Sequence, residues 1–320
     1  MAENTVNTFL NIESIDLEYA GLKKGSLKGE VAVVTGGANN IGLGYSRALA
    51  WAGASVVVAD INEKAGIETA RVINEENSAD VALFVNCDVT EEKNIKNLAA
   101  KAFEKFGKVD ILLNNAMNVG LKGSVLNSKL SDLEQSYQLS GRAVMCAILE
   151  FVPKMVERKH GVVAFSSSQF HYAPPLVGGA IYCAGKAIGS SITMSLANEL
   201  KDTGVYVFCL TPAGVVRQDA TRQARDADGN VLKPDGPARG MPGFNGTIPP
   251  EAGGAAMVYS ILNASTLHGS GISISEAFSA MNYPFPNPAT LRAGTPKKLN
   301  DMELTLVLMN MGPGFTGFAE

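Results

Sequence analysis

Histidine and cysteine are scarce in this chain: three and four, respectively, among 320 residues. Cys87, Cys146, Cys183 and Cys209 are scattered, with no Cys-x-x-Cys pair and no histidine cluster nearby. That spacing excludes a disulfide framework and an ordinary zinc site, and the thiols read as buried groups in a reducing compartment. A metal-independent protein is expected. An excess of one charge is also missing, since 27 Lys and Arg face 31 Asp and Glu, for a net charge of −4 and a pI near 5.6. With no basic stripe, nucleic acid is not expected as a partner. No run approaches the ~18 uninterrupted apolar residues of a membrane span, so no membrane partner is expected either. Residues 1–28 lack the basic-then-apolar order of a signal peptide, which makes the cytoplasm the expected location.

What the chain does have is apolar material, 46% of its residues against 18% charged, enough for one large domain or two small ones. Short β-branched runs at residues 31–35, 55–60, 81–87, 109–114, 161–167 and 205–210 are apolar on both alternations. Strands of that kind belong to a parallel sheet covered on both faces. Helical stretches at residues 41–52, 63–77, 91–106, 131–158 and 180–202 separate them. Thr90 followed by Glu91 and Glu92 reads as a hydroxyl cap with acidic residues in the first turn. The alternation predicts an α/β fold with a doubly wound parallel sheet, its ligands beyond the carboxyl ends of the strands. A helix at 250–262 and a last strand at 271–275 complete it. Residues 213–248, rich in Gly, Pro, Arg and Asp, read as a long lid. The expected division is an N-terminal extension 1–28, a catalytic domain 29–276 and an irregular C-terminal extension 277–320.

The strand at 31–35 runs into Thr35-Gly36-Gly37-Ala38-Asn39-Asn40-Ile41-Gly42, and a helix follows. Glycines allow a sharp turn and close backbone approach to a pyrophosphate, and free N–H groups at a helix start hold its charge. Asp60 lies 24 positions beyond Gly36, near the ~20-residue offset at which an acidic residue accepts from the adenosine ribose. A carboxylate there repels a 2′-phosphate and favours NAD(H); the competing reading is a cap on the next helix. Asp88 and Asn114 to Ala116 end the third and fourth strands on the same edge, where each is as readily a turn residue as a ligand.

Tyr182 and Lys186 are four apart, on one face of a helix, after a strand ending Ala164-Phe165-Ser166-Ser167. A phenol with a pKa near ~10 is a poor base at neutral pH, and an adjacent ammonium lowers it. With the glycine turn and Asn114-Asn115-Ala116, this constellation resembles the short-chain dehydrogenase/reductase family over roughly residues 26–275, in particular its NAD-dependent hydroxysteroid and alcohol dehydrogenase type. The resemblance implies a Rossmann-type fold and an enzyme that interconverts a secondary alcohol and a ketone. Tyr182 is then the general acid/base, Lys186 its helper and ribose ligand, and a serine polarises the substrate oxygen. The usual serine-to-tyrosine spacing falls on Gln169, which cannot serve; aligning the strand end gives Ser167, with Ser168 the alternative. Gln138 stands for the asparagine that holds a relay water. The implied cofactor contacts are Gly36, Asn39, Asn40, Ile41, Asp60, Ile61, Asp88, Val89, Asn114, Ala116, Tyr182, Lys186, Pro212, Gly214 and Val215.

The chain departs from the family pattern at several points. Asn40 replaces the middle glycine of the turn, Met117 follows Asn-Asn-Ala in place of glycine, and Arg217 stands where threonine is usual. Phe170, His171, Tyr172, Pro174, Pro175, Leu176, Met241, Phe244, Phe278, Met281, Tyr283 and Phe285 would suit a bulky apolar ketone or alcohol such as a hydroxysteroid, a 20-keto steroid among them. The same residues could equally pack lid and tail onto the domain. Arg217, Arg222, Arg225 and Arg239 would instead suit a sugar acid or polyol. A non-catalytic NAD-binding protein is the remaining alternative. Family members pair the long helices, here 131–158 and 180–202, into dimers or tetramers, so a homodimer or homotetramer is expected.

Overall fold

Valine-rich runs form the centre of the molecule. In the computed structural model, which describes residues 16–118, 125–168, 179–212, 215–216, 247–248 and 250–282, seven strands lie in one parallel sheet. They are β1 (Val31–Thr35), β2 (Ser55–Asp60), β3 (Ala82–Asn86), β4 (Ile111–Asn114), β5 (Gly161–Ser166), β6 (Val205–Thr211) and β9 (Gly271–Ser273). Their order is β3-β2-β1-β4-β5-β6-β9, a doubly wound Rossmann-type sheet with its switch point between β1 and β4. A short parallel pair, β7 (Val215–Val216) and β8 (Thr247–Ile248), joins the two ends of the expected lid.

Both faces of the sheet are covered, as the all-apolar strands require. On β2, Val56 and Val58 point into one core with Tyr45, Ala48, Leu49, Ala256 and Phe278. Val57 and Ala59 point into the other, with Ile95, Leu98, Phe151 and Leu196. The first core is roofed by α1 (Asn40–Trp51), α2 (Glu63–Asn77), α7 (Pro250–Leu262) and α9 (Ile274–Ala280). The second is roofed by α3 (Glu92–Phe106), α5 (Ala143–Arg158) and α6 (Ala180–Glu199), with α4 (Leu130–Tyr137) leading into α5 and the single turn α8 (Ala264–Leu267) following α7. Arg47 of α1, 2% exposed, is held by Glu76 of α2 at 2.5 Å and Glu251 of α7 at 3.0 Å. A buried guanidinium needs such partners.

Several expectations are corrected. Thr90 does not cap α3: its hydroxyl donates to Asp88 at 2.7 Å, and the helix starts after Glu91 without a side-chain cap. The expected helix 131–158 carries a π turn at Gln138–Arg142, where α4 and α5 meet α6. Ser273 ends the last strand early because its hydroxyl accepts from the Glu276 amide and starts α9. Leu17, Leu22 and Leu27 pack in the first core, although they fall within the expected N-terminal extension. Phe278, expected at the substrate, is wholly buried in that core, and Met281 packs against it. Cys87, Cys183 and Cys209 are buried and Cys146 half-buried. Among the described residues no helix is long and apolar enough to cross a membrane.

Candidate active site

The carboxyl ends of β1, β4 and β5 assemble the site. After β1 the chain turns at Gly36, whose φ of +63° suits glycine, and a Cβ there would lie 2.9 Å from the Ala116 Cα. Asn40 takes the left-handed conformation (φ +45°) in place of a glycine, which asparagine tolerates. The N-cap Asn39 makes no side-chain cap bond, so the first amides of α1 have no capping oxygen of their own and suit an anion. Ile41 follows in that first turn and packs against the first core.

The turn is held from β4. The Thr35 hydroxyl accepts from the amides of Asn115 (2.9 Å) and Ala116 (3.1 Å), and the Asn115 amide group donates to the carbonyls of Thr35 and Gly36. Asn115, expected with its neighbours as a turn residue or a ligand, is a clamp on the glycine turn. Asn114 Nδ2 is buried and has no hydrogen-bond partner among the described residues. Asn114 lines a small cavity with Thr35, Val89, Ala116, Leu139 and Val144.

Asp60 ends β2 beside this turn. Its oxygens accept from the amides of Ala38 (3.0 Å) and Asn62 (2.9 Å), which fixes the carboxylate against the glycine turn. A carboxylate has about four acceptor positions, so two such bonds leave room for ribose hydroxyls. Ile61 beside it is exposed. One oxygen of Asp88 accepts from both the amide and the hydroxyl of Thr90, and Asp88 is half-buried. An uncapped helix start, a glycine cradle, an unpartnered buried amide and an acidic rim fit a nicotinamide dinucleotide. Pro212 is half-buried after β6, Val215 lies in β7, and Gly214 is outside the described residues. So are His171, the four lid arginines and most of the apolar residues expected around the substrate.

At the chemical end, α6 approaches its neighbours closely through small residues. A Cβ on Gly185 would lie 2.2 Å from Ser136 Oγ, and one on Gly189 2.2 Å from the Phe165 ring. Ser136 also donates to the Ile181 carbonyl at 2.9 Å, pinning the first turn of the helix. Tyr182 and Lys186 thereby face the end of β5. The Tyr182 phenol is hydrogen-bonded to Ser168, whereas the Ser167 hydroxyl is engaged with Ser190 at 2.7 Å. The Lys186 ammonium donates to the Ser166 carbonyl and lies 5.9 Å from the centre of the Tyr182 ring. Gln138 opens the π turn with its side chain exposed, while Ser140 of the same turn is buried and donates to Met117 Sδ at 3.3 Å.

The electrostatics differ from the simple expectation. Burial pushes the Tyr182 phenol above its ordinary value, only partly offset by the Ser168 hydrogen bond. Burial likewise pushes the Lys186 ammonium down to about 8. In the chain alone, burial therefore dominates both groups. At the opposite rim, Glu30, Asp110 and His160 bring ligand atoms within 4.8 Å of one another. Asp110 is already neutralised there by Lys108 (2.8 Å) and Arg158 (2.9 Å), which oppose a further cation.

Comparison with known proteins places this geometry. The profile of the short chain dehydrogenase family matches residues 30–229. The chain is 31% identical over 210 residues to short chain aldehyde dehydrogenase 1 of Euphorbia lathyris, covering 65% of this chain and 72% of that protein. It is 30% identical over 194 residues to the 15-hydroxyprostaglandin dehydrogenase (NAD+) of Mus musculus, covering 59% and 68%. The crystal structure of a hydroxysteroid dehydrogenase from Escherichia coli superimposes with a TM-score of 0.63 at 26% identity, over 77% of this chain and 95% of that one.

Proposed function

The chain belongs to the short-chain dehydrogenase family, oxidoreductases acting on CH–OH and C=O groups, and from that premise we propose an NAD(H)-dependent enzyme with Tyr182 as its general acid/base. The observation that carries the reading is the contact of Tyr182 with Ser168 and its proximity to Lys186 at the end of β5. A bound nicotinamide would supply the hydride acceptor or donor and, when oxidised, a positive charge beside the phenol. In reduction the Ser168 hydroxyl donates to the substrate oxygen and Tyr182 gives that oxygen its proton. The raised phenol suits this direction, since it stays protonated until needed. In oxidation Tyr182 takes the alcohol proton, and the Lys186 ammonium stabilises the phenolate. Ser168 is preferred to Ser167 because it is the serine hydrogen-bonded to the Tyr182 phenol. Gln138, exposed on the π turn, would hold the relay water in place of the usual asparagine.

Asp60 supports NAD(H) over the 2′-phosphorylated cofactor, and the prostaglandin dehydrogenase relative names NAD+. For the substrate we favour a bulky, mostly apolar secondary alcohol or ketone such as a hydroxysteroid, in line with the names of that relative and of the hydroxysteroid dehydrogenase neighbour. Leu133, Tyr137, Met145 and Leu149 expose apolar surface along α4 and α5, which supports a homodimer or homotetramer paired there.

The test follows absorbance at 340 nm with NADH and NADPH against steroid ketones and sugar acids. Turnover of a steroid ketone with NADH in preference to NADPH is expected. Turnover only of sugar acids, or only with NADPH, contradicts the finer reading. Light scattering of a monomer at micromolar concentration contradicts the assembly.

A further inference from the structure

Tyr45 lies inside α1, 0% exposed, with its ring in the core between α1 and α7. Its hydroxyl reaches across the fold to the far end of β5, where Ser166 Oγ donates to it at 3.2 Å. Ser166 is the last residue of β5, and its backbone carbonyl accepts the Lys186 ammonium. One residue thus links two helices on opposite faces of the sheet: its side chain is bonded to α1 and its peptide oxygen to α6.

We propose that Tyr45 is a positioning residue: by holding the Ser166 side chain it fixes the direction of the Ser166 carbonyl, and through it the place of the Lys186 ammonium beside Tyr182. The inference rests on the reading of Tyr182 and Lys186 as the reacting pair. It also makes α1, the helix that opens at the dinucleotide turn, a structural support of the acid/base pair.

The surroundings of Lys186 make this support consequential. The aromatic ring of Phe165 is 5.0 Å from Nζ, that of Tyr182 is 5.9 Å away, and the titratable group facing it from β6 is the Cys209 thiol. Among the described residues no carboxylate acts on it. The buried ammonium therefore depends on neutral acceptors, of which the Ser166 carbonyl is one. Tyr45→Phe keeps the ring and its packing but leaves a buried serine hydroxyl without its acceptor. Ser166 Oγ must then seek another oxygen, and the adjoining carbonyl loses its fixed direction. A weaker acceptor disfavours the charged form of Lys186, so the ammonium should titrate lower. Less positive charge at a given pH lets Tyr182 ionise later, and the rising limb of alcohol oxidation moves to higher pH.

The test uses the full chain with lysine labelled at Cε with carbon-13, the Lys186 resonance being identified by its loss in Lys186→Met. Its titration midpoint, about 8 in the parent, should fall by about half a unit or more in Tyr45→Phe. Ser166→Ala should give a similar displacement, and the double variant should add nothing to either single change. Ser166→Ala carries the test by itself if Tyr45→Phe fails to fold. A midpoint unchanged in the folded variants overturns the inference, as does a uniform loss of turnover with no movement of the pH profile. The reading of the site fails separately, through full turnover in Tyr182→Phe, because the lysine titration needs no substrate.

Discussion

The Ser168 hydroxyl is hydrogen-bonded to the Tyr182 phenol, and Ser167, one residue earlier, is turned to Ser190 instead. The two serines should therefore separate in kinetics. Ser168→Ala is expected to lower kcat by about 10²–10³-fold, the usual effect of losing one donor to a developing oxyanion. Ser167→Ala should cost less than about tenfold, since it disturbs the Ser190 contact and leaves the Ser168–Tyr182 bond in place. Steady-state rates of the two variants check this, and the reverse order would return the role to Ser167.

Asp60 is expected to set cofactor choice. Its carboxylate is fixed by the amides of Ala38 and Asn62, so charge stays beside the place of a ribose 2′ group. Asp60→Ala should reduce the NADH-over-NADPH ratio of kcat/KM by about tenfold or more, equivalent to ~1.4 kcal/mol. Part of the loss will fall on both cofactors, because the Ala38 amide also loses its acceptor. An unchanged ratio would remove Asp60 from specificity.

Lys186 is expected to lower stability while serving chemistry. Its value in the folded chain is about 8, against an ordinary value of ~10.4 in the unfolded chain. Between these values the unfolded state binds more protons, so this group's contribution to stability rises with pH; below about 8 its full cost is present. Lys186→Met should relieve about 2–3 kcal/mol at pH 7 and lose about 1 kcal/mol by leaving the Ser166 carbonyl unpaired, a net gain of about 1–2 kcal/mol. The gain should fade toward pH 10. Cys87 and Cys209, pushed up to about 12 by burial, act in the opposite sense, and comparing variant with parent at each pH removes most of their effect. Urea unfolding at pH 7 and 10 checks the sign.

Arg47 should behave as a buried ion whose partners cannot be spared. Removing the guanidinium in Arg47→Ala leaves Glu76 and Glu251 facing each other without their shared cation. A loss of about 3–5 kcal/mol is expected from a broken buried pair. Denaturant midpoints at matched m-values measure it, and a loss under ~1 kcal/mol would mean that water has replaced the partner.

Much of this was legible in the sequence because the sheet's physics is local. Strands apolar on both alternations can only lie between two layers, and β1 and β2 were placed to the residue. The pair Tyr182 and Lys186 was legible from helical spacing, and the tolerance of Asn40 for left-handed backbone from its short amide side chain. The rest depends on contacts distant in sequence. Which serine meets Tyr182 depends on where β5 leaves β6, fixed by the Ser167 amide bonding the Leu210 carbonyl at 2.8 Å. The π turn at Gln138–Arg142 accommodates the approach of α6, which no periodicity within 131–158 reports. Thr90 reads locally as a cap, and only the folded turn turns its hydroxyl to Asp88.

The most direct test of the central claim is the turnover of Tyr182→Phe with its NADH binding measured on the same sample. The phenylalanine keeps the ring but not the proton, so kcat should fall by about 10²–10⁴-fold. NADH affinity, followed by quenching of Trp51 fluorescence, should stay within about threefold. Full turnover in that variant would contradict the account.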